Sequence, residues 1–169
     1  MVLVGHSLGG LTIPVVAARR PVRHLVFLCA FAPQPGRSFT DWMGEEADLY
    51  PPGPADDIWP VPDSDGLMSW PPDRAVRALY PDCPPDLAAW AAGRLRRQAL
   101  TPHREPCPLD AWPDVPSTVI AGRDDPAISS AWPHRVARDR LHAKMYELPG
   151  GHSPFLARPA DLADILVRA

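Results

Sequence analysis

Three apolar residues, Val2, Leu3 and Val4, run directly into Gly5-His6-Ser7-Leu8-Gly9-Gly10. A strand that hands over to a helix within a residue or two must bend sharply, and glycines flanking the bend relieve the crowding. The segment therefore predicts a strand, a serine at the turn and a helix behind it, which is the layout of a nucleophile elbow. Glycine makes up about 7% of average sequences, and with serine about as common, Gly-x-Ser-x-Gly arises by chance in roughly one chain of this length in twenty. The surrounding residues must therefore decide. Leu8 to Arg20 is rich in small and apolar residues suited to a buried helix, with Pro14 predicting a bent or short one that ends before Pro21.

The same alternation recurs along the chain. His24 to Phe31 contains the continuous apolar run Leu25, Val26, Phe27, Leu28, the mark of a strand covered on both faces, as in a parallel sheet. Residues 117–169 continue with a strand at Thr118 to Ala121, a helix near Trp132 to Leu141, a strand at Lys144 to Leu148 and a closing helix. In that last helix Pro159 suits the first turn, and Leu162, Ile165 and Leu166 share one face. The pattern predicts an α/β fold, a mostly parallel sheet flanked by helices, built from residues 1–32 and 117–169.

Residues 33–116 read differently, holding 17 of the 24 prolines and five of the six tryptophans. Turn-rich stretches such as Pro51-Pro52-Gly53-Pro54 support neither long strands nor long helices. Two helices are still expected there, at about Asp73 to Tyr80 and at Pro85 to Gln98. The second places Leu87, Trp90, Ala91 and Leu95 in an apolar stripe opposite Arg94, Arg96 and Arg97, read as a solvated face.

Composition narrows the partners. The 169 residues are 46% apolar and 22% charged, ordinary for one soluble globular domain. A net charge of −3 offers no basic field for nucleic acid, and no apolar run approaches the ~18 to 20 residues of a membrane span. Cys29, Cys83 and Cys107 are far apart and lack CxxC spacing, so reduced thiols are expected rather than a disulfide framework or a zinc site. The expectations are a cytoplasmic protein acting on a small molecule, without metal or organic cofactor. A homo-oligomer is compatible with the composition.

A serine hydroxyl is a weak nucleophile at neutral pH and needs a base, itself oriented by a third group. Two further strand ends supply candidates. One runs into Gly122-Arg123-Asp124-Asp125-Pro126 and the other into Pro149-Gly150-Gly151-His152-Ser153-Pro154. Open α/β sheets place their sites at the carboxyl ends of strands, so Ser7, His152 and one of Asp124 and Asp125 are the candidate catalytic set. Of the other histidines, His142 lies in a polar stretch and His6 is expected to pack against the sheet.

The ordered set Ser, Asp, His resembles the α/β-hydrolase superfamily, within its esterase and hydroxynitrile-lyase-like branch. The likeness is carried by Val4-Gly5-His6-Ser7-Leu8-Gly9-Gly10, Phe27-Leu28-Cys29-Ala30-Phe31-Ala32-Pro33, Gly122-Arg123-Asp124-Asp125 and Gly151-His152-Ser153-Pro154-Phe155. It implies that Asp125 orients His152, with Asp124 the alternative, and that the Leu8 backbone N–H is one oxyanion donor. Residues 33–116 would form the cap, with Trp42, Trp59, Trp70, Tyr80 and Trp90 as pocket candidates beside Phe155 and Leu8. The resemblance also implies strands before the elbow and a second oxyanion donor from an early loop, which residues 1–169 do not contain. An N-terminally truncated form of the fold is thus expected, with Val2 to Val4 as an exposed edge. The reaction implied is hydrolysis of a carboxylic ester or related small acyl compound through an acyl-enzyme. The alternatives are hydroxynitrile cleavage, thioester or C–C bond hydrolysis on the same fold, or a weak or inactive relative that only binds a small molecule.

Overall fold

The computed structural model describes residues 1–52 and 58–168, so Gly53 and Pro54 of the proline-rich stretch lie outside the described residues. The chain begins with β1 (Val2–Ser7), a 3₁₀ turn (Leu8–Leu11), α1 (Ile13–Ala17) and β2 (His24–Ala30). It continues through α2 (Phe39–Met43), a short hairpin of β3 (Val61–Pro62) and β4 (Met68–Ser69), α3 (Pro72–Leu79), α4 (Pro85–Ala92) and α5 (Thr101–Arg104). The closing part is β5 (Ser117–Gly122), α6 (Ala131–Asp139), β6 (Lys144–Leu148), α7 (Pro154–Ala157) and α8 (Pro159–Leu166).

Four strands form one parallel sheet in the order β1-β2-β5-β6. Successive side chains of a strand point to opposite faces, and the apolar run of β2 splits accordingly. Leu25 and Phe27 pack with Ile13, Val119, Trp132 and Val136 on one face, while Val26 and Leu28 pack with Ile120, Leu148 and Leu162 on the other. Covering both faces is what allows four consecutive apolar residues in one strand. β1 is the sheet edge, and its Val2 and Val4 are 40% and 46% exposed. No helix among the described residues is long and apolar enough to cross a membrane.

Several details depart from the sequence reading. The segment after Ser7 begins as a 3₁₀ turn, and the α-helix starts only at Ile13, so Pro14 sits in a first turn, where its missing N–H has no role. The helix from Pro85 ends at Ala92 with Gly93 as its cap residue, rather than at Gln98. Glycine is a poor helix former, and Gln98 exchanges two backbone hydrogen bonds with Met68, at 2.8 and 2.9 Å, which draws the chain away from the helix axis. Trp90 faces solvent rather than an apolar stripe, with the Arg94 guanidinium 4.0 Å from its ring centroid. Arg97 is paired with Asp63 and Asp65.

Residues 33–116 have two packing partners. Phe39, Trp42 and Leu49 join the main core, where Trp42 stacks on Trp132 at an interplanar angle of 3°. Ala75, Tyr80, Ala88, Ala91 and Ala92 make a separate cluster that takes in Leu156 of α7. Glu46 ties the first group to α6, accepting hydrogen bonds from Trp132, Arg135 and Arg140, and Arg135 also donates to Asp48 at 2.8 Å.

The glycines of the elbow are not equivalent. A Cβ at Gly5 would stand 2.8 Å from the Gly9 carbonyl oxygen, and one at Gly10 would stand 2.0 Å from that of Phe31. At Gly9 a Cβ meets nothing within 4 Å, so the crowding expected there falls on Gly10 instead. Gly10→Ala is accordingly expected to force the turn away from β2, costing about 1–3 kcal/mol as overpacking does. Gly9→Ala is expected to leave the unfolding midpoint nearly unchanged. Parallel thermal melts of the two variants check this, and equal midpoints would contradict it.

Candidate active site

β1 ends on Ser7 with φ 53° and ψ −123°, a conformation that side-chain-bearing residues avoid and that costs about 1–3 kcal/mol. The neighbouring strand adjusts to it. The β1–β2 register slips by one residue between His6 and Ser7, leaving Cys29 as the extra residue of a bulge with φ 42°. Phe31 N–H donates to the Ser7 carbonyl at 3.2 Å. Leu8 opens the 3₁₀ turn, so its N–H has no acceptor within that turn.

β5 and β6 deliver the other candidates. Just past β5, Asp125 is buried, and its Oδ1 accepts from the backbone N–H groups of Ala127 at 2.8 Å and Ile128 at 3.2 Å. Its Oδ2 lies 2.8 Å from His152 Nδ1. Both partners are almost fully shielded from water, with His152 only 1% exposed. A carboxylate can only accept, so Nδ1 carries the proton and Nε2 of a neutral ring is left as the basic nitrogen. That Nε2 is buried and has no hydrogen-bond partner among the described residues. Asp124 points elsewhere, its Oδ2 accepting from Gly150 N–H at 3.2 Å.

Glycines set the height of the His152 loop. A Cβ at Gly122 would meet the Gly151 carbonyl oxygen at 2.3 Å, and one at Gly151 would meet Pro81 Cγ at 2.5 Å. Gly150 has φ +99°, and Asp82 Oδ2 occupies the place its Cβ would take. The Pro81-Asp82 joint between α3 and α4 therefore seats directly on the loop carrying His152. Sequence reasoning missed this contact, since its visible trace was only the Gly150-Gly151 pair.

His6 is the other residue whose place was not foreseen. Rather than packing only against the sheet, its Nε2 lies 2.8 Å from the His152 carbonyl oxygen. Its ring centroid is 4.8 Å from that of His152 and 4.9 Å from that of Phe155. Burial, and then the neighbouring His152, lower the pKa of His6 to about 4 from its ordinary 6.5. Burial also pushes the Cys29 thiol up, which keeps it protonated. Because folded His6 binds its proton less readily than in the unfolded chain, the stability it contributes is complete above about pH 6.5. It is lost progressively as pH falls toward about 4. Denaturant melts across that window should show falling stability in the native chain, and a flatter profile in His6→Gln.

A cleft of about 250 Å³ runs along Leu8, Leu11, Thr12 and Val15 on one side and Phe39, Trp42 and Pro106 on the other. Leu8 is its link to the elbow, since Ser7 and His152 are not among its walls. Trp42 borders it, but Trp59 and Trp70 do not. Trp59 meets the Tyr50 ring edge-on at 4.9 Å, and Trp70 packs against the α3 and α4 cluster. Phe155, 40% exposed, stands at the His6 side of the site.

A parallel sheet with a strained serine after one strand and a buried Asp-His pair after two others defines a class, and the sequence pattern of the alpha/beta hydrolase family matches residues 2–165. The chain belongs to that family. It is 28% identical over 179 residues to the alpha/beta hydrolase nvfD of Aspergillus novofumigatus, an alignment covering 99% of this chain and 67% of nvfD. It is 27% identical over 172 residues to the pyrethroid hydrolase of Sphingobium wenxiniae, covering 98% of this chain and 61% of that enzyme. The crystal structure of polyneuridine aldehyde esterase superposes with a TM-score of 0.78 at 18% identity, over 99% of this chain and 71% of that one. This chain thus spans about two thirds of the length of the proteins it resembles.

Proposed function

We propose that this protein is a serine hydrolase that cleaves small, largely apolar carboxylic esters through Ser7, His152 and Asp125. The observation that carries the reading is the buried 2.8 Å Asp125–His152 hydrogen bond, set at the same carboxyl-terminal end of the parallel sheet as a serine held in a strained turn. Ser7 Oγ attacks the ester carbonyl carbon while His152 Nε2 takes its proton. Asp125 fixes the tautomer and stabilises the imidazolium. The alkoxide leaves with the proton returned by His152, and water then cleaves the Ser7 acyl ester by the same steps. The Leu8 N–H, unpartnered within its turn, donates to the oxyanion, a role in which one donor contributes about 2.7–4 kcal/mol.

The ester class is supported by the 27% identity to a pyrethroid hydrolase and by the cleft beside Leu8, whose walls are mostly apolar, with Arg37 and Glu105 as its charged members. Residues 33–116 serve as the cap over the site in this reading, with Trp42, fully buried, backing the cleft wall from the core rather than touching the acyl or alcohol group, and Phe155 at the entrance. A fluorophosphonate probe tests the reading directly. The native chain is expected to be labelled and His152→Ala is not, and equal labelling of the two would remove the proposed base.

A further inference from the structure

We infer that His6 is a positioning residue for His152, joining the strand that carries the nucleophile to the loop that carries the base. The inference rests on His152 acting as the base. A carbonyl oxygen accepts and never donates, so the 2.8 Å contact between His6 Nε2 and the His152 carbonyl requires the proton on Nε2 of His6. The two rings also meet, 4.8 Å apart and tilted by 55°, while Phe155 closes the other approach to His6 edge-on at 4.9 Å. His6 therefore grips its partner at two points, the backbone and the imidazole.

The geometry has a chemical consequence because His6 immediately precedes Ser7 in β1. Any shift of the elbow is passed through one side chain to the base, which keeps the serine and His152 in step. His6 remains a neutral ring at working pH, so it places no second positive charge beside the imidazole that must become cationic during acyl transfer. A leucine would fill the same space yet leave the His152 carbonyl without this donor. Glutamine retains an N–H at similar reach.

The test combines a spectrum with kinetics. In ¹⁵N-histidine NMR of the native chain at neutral pH, His6 should appear as the Nε2-protonated tautomer, and the His152 signals should move in His6→Leu but little in His6→Gln. With a p-nitrophenyl ester, His6→Leu should lose kcat by up to about 100-fold, as small misplacements of catalytic groups do, with KM unchanged. His6→Gln should keep most of the native kcat. A His6 protonated on Nδ1 alone, or a folded His6→Leu with native kcat, would overturn the inference. His152→Ala run in parallel separates the two claims. If that variant is inactive while His6→Leu is not, only the role of His6 falls, whereas an active His152→Ala removes the base itself.

Discussion

Ser7→Ala is expected to abolish fluorophosphonate labelling and to cut ester turnover by as much as about a million-fold, the scale on which removing a triad serine acts. Alanine keeps the Cβ, so the strained backbone at φ 53° is unchanged, and the unfolding midpoint should move little. That combination separates loss of chemistry from loss of fold. Ser153 provides the control. It adjoins His152, it is 1% exposed, and its hydroxyl has no hydrogen-bond partner among the described residues. Yet it directly follows His152 in the same loop rather than occupying the strained turn that ends β1. Ser153→Ala should therefore keep its label, measured by intact-mass shift alongside initial rates with a p-nitrophenyl ester. A label that persists in Ser7→Ala and disappears in Ser153→Ala would move the nucleophile to the other loop.

What could be read in advance follows from where the physical signal is local. Leu25 to Leu28 announce a strand buried on both faces because each side chain has its own layer to enter, and the sheet supplies both. Ser7, Asp125 and His152 stood out as candidates because each lies at the carboxyl end of a strand of the parallel sheet, whether exposed like β1 or covered like β5. The short helices were not: α2, α5 and α7 have five, four and four residues, below the length at which helix formation sustains itself. Packing holds them, although Ser38 and Asp41 form a capping box at α2 whose residues stand plainly in the sequence. Trp90 misled because an apolar stripe assumes a partner surface. Its ring instead takes the Arg94 guanidinium in solvent. Contacts spanning the chain, such as Pro81 on Gly151 or His6 on the His152 carbonyl, leave no local periodicity at all.

The second large effect is expected at Asp125, where asparagine is nearly isosteric but cannot satisfy the same donors. Three hydrogens converge on the Asp125 carboxylate, two from backbone amides on Oδ1 and one from His152 Nδ1 on Oδ2. An asparagine amide has one acceptor oxygen, so its NH₂ must face one side or the other. Turned toward Ala127 and Ile128 it opposes two fixed N–H groups. Turned toward His152 it donates to Nδ1, which drives the ring proton to Nε2 and leaves the ring unable to accept from Ser7. The second arrangement costs less in the fold and more in the chemistry. Asp125→Asn should therefore stay folded while kcat falls about 10⁴-fold, as in other Ser-His-Asp triads, with KM little changed. Asp124→Asn is the comparison, since among the described residues Asp124 Oδ2 accepts from Gly150 N–H, a bond an amide oxygen can also accept. Its kcat should remain close to native. Histidine NMR of Asp125→Asn should show the proton moved to Nε2 of His152. Equal losses in the two variants would assign the orienting role to the loop as a whole rather than to the carboxylate of Asp125.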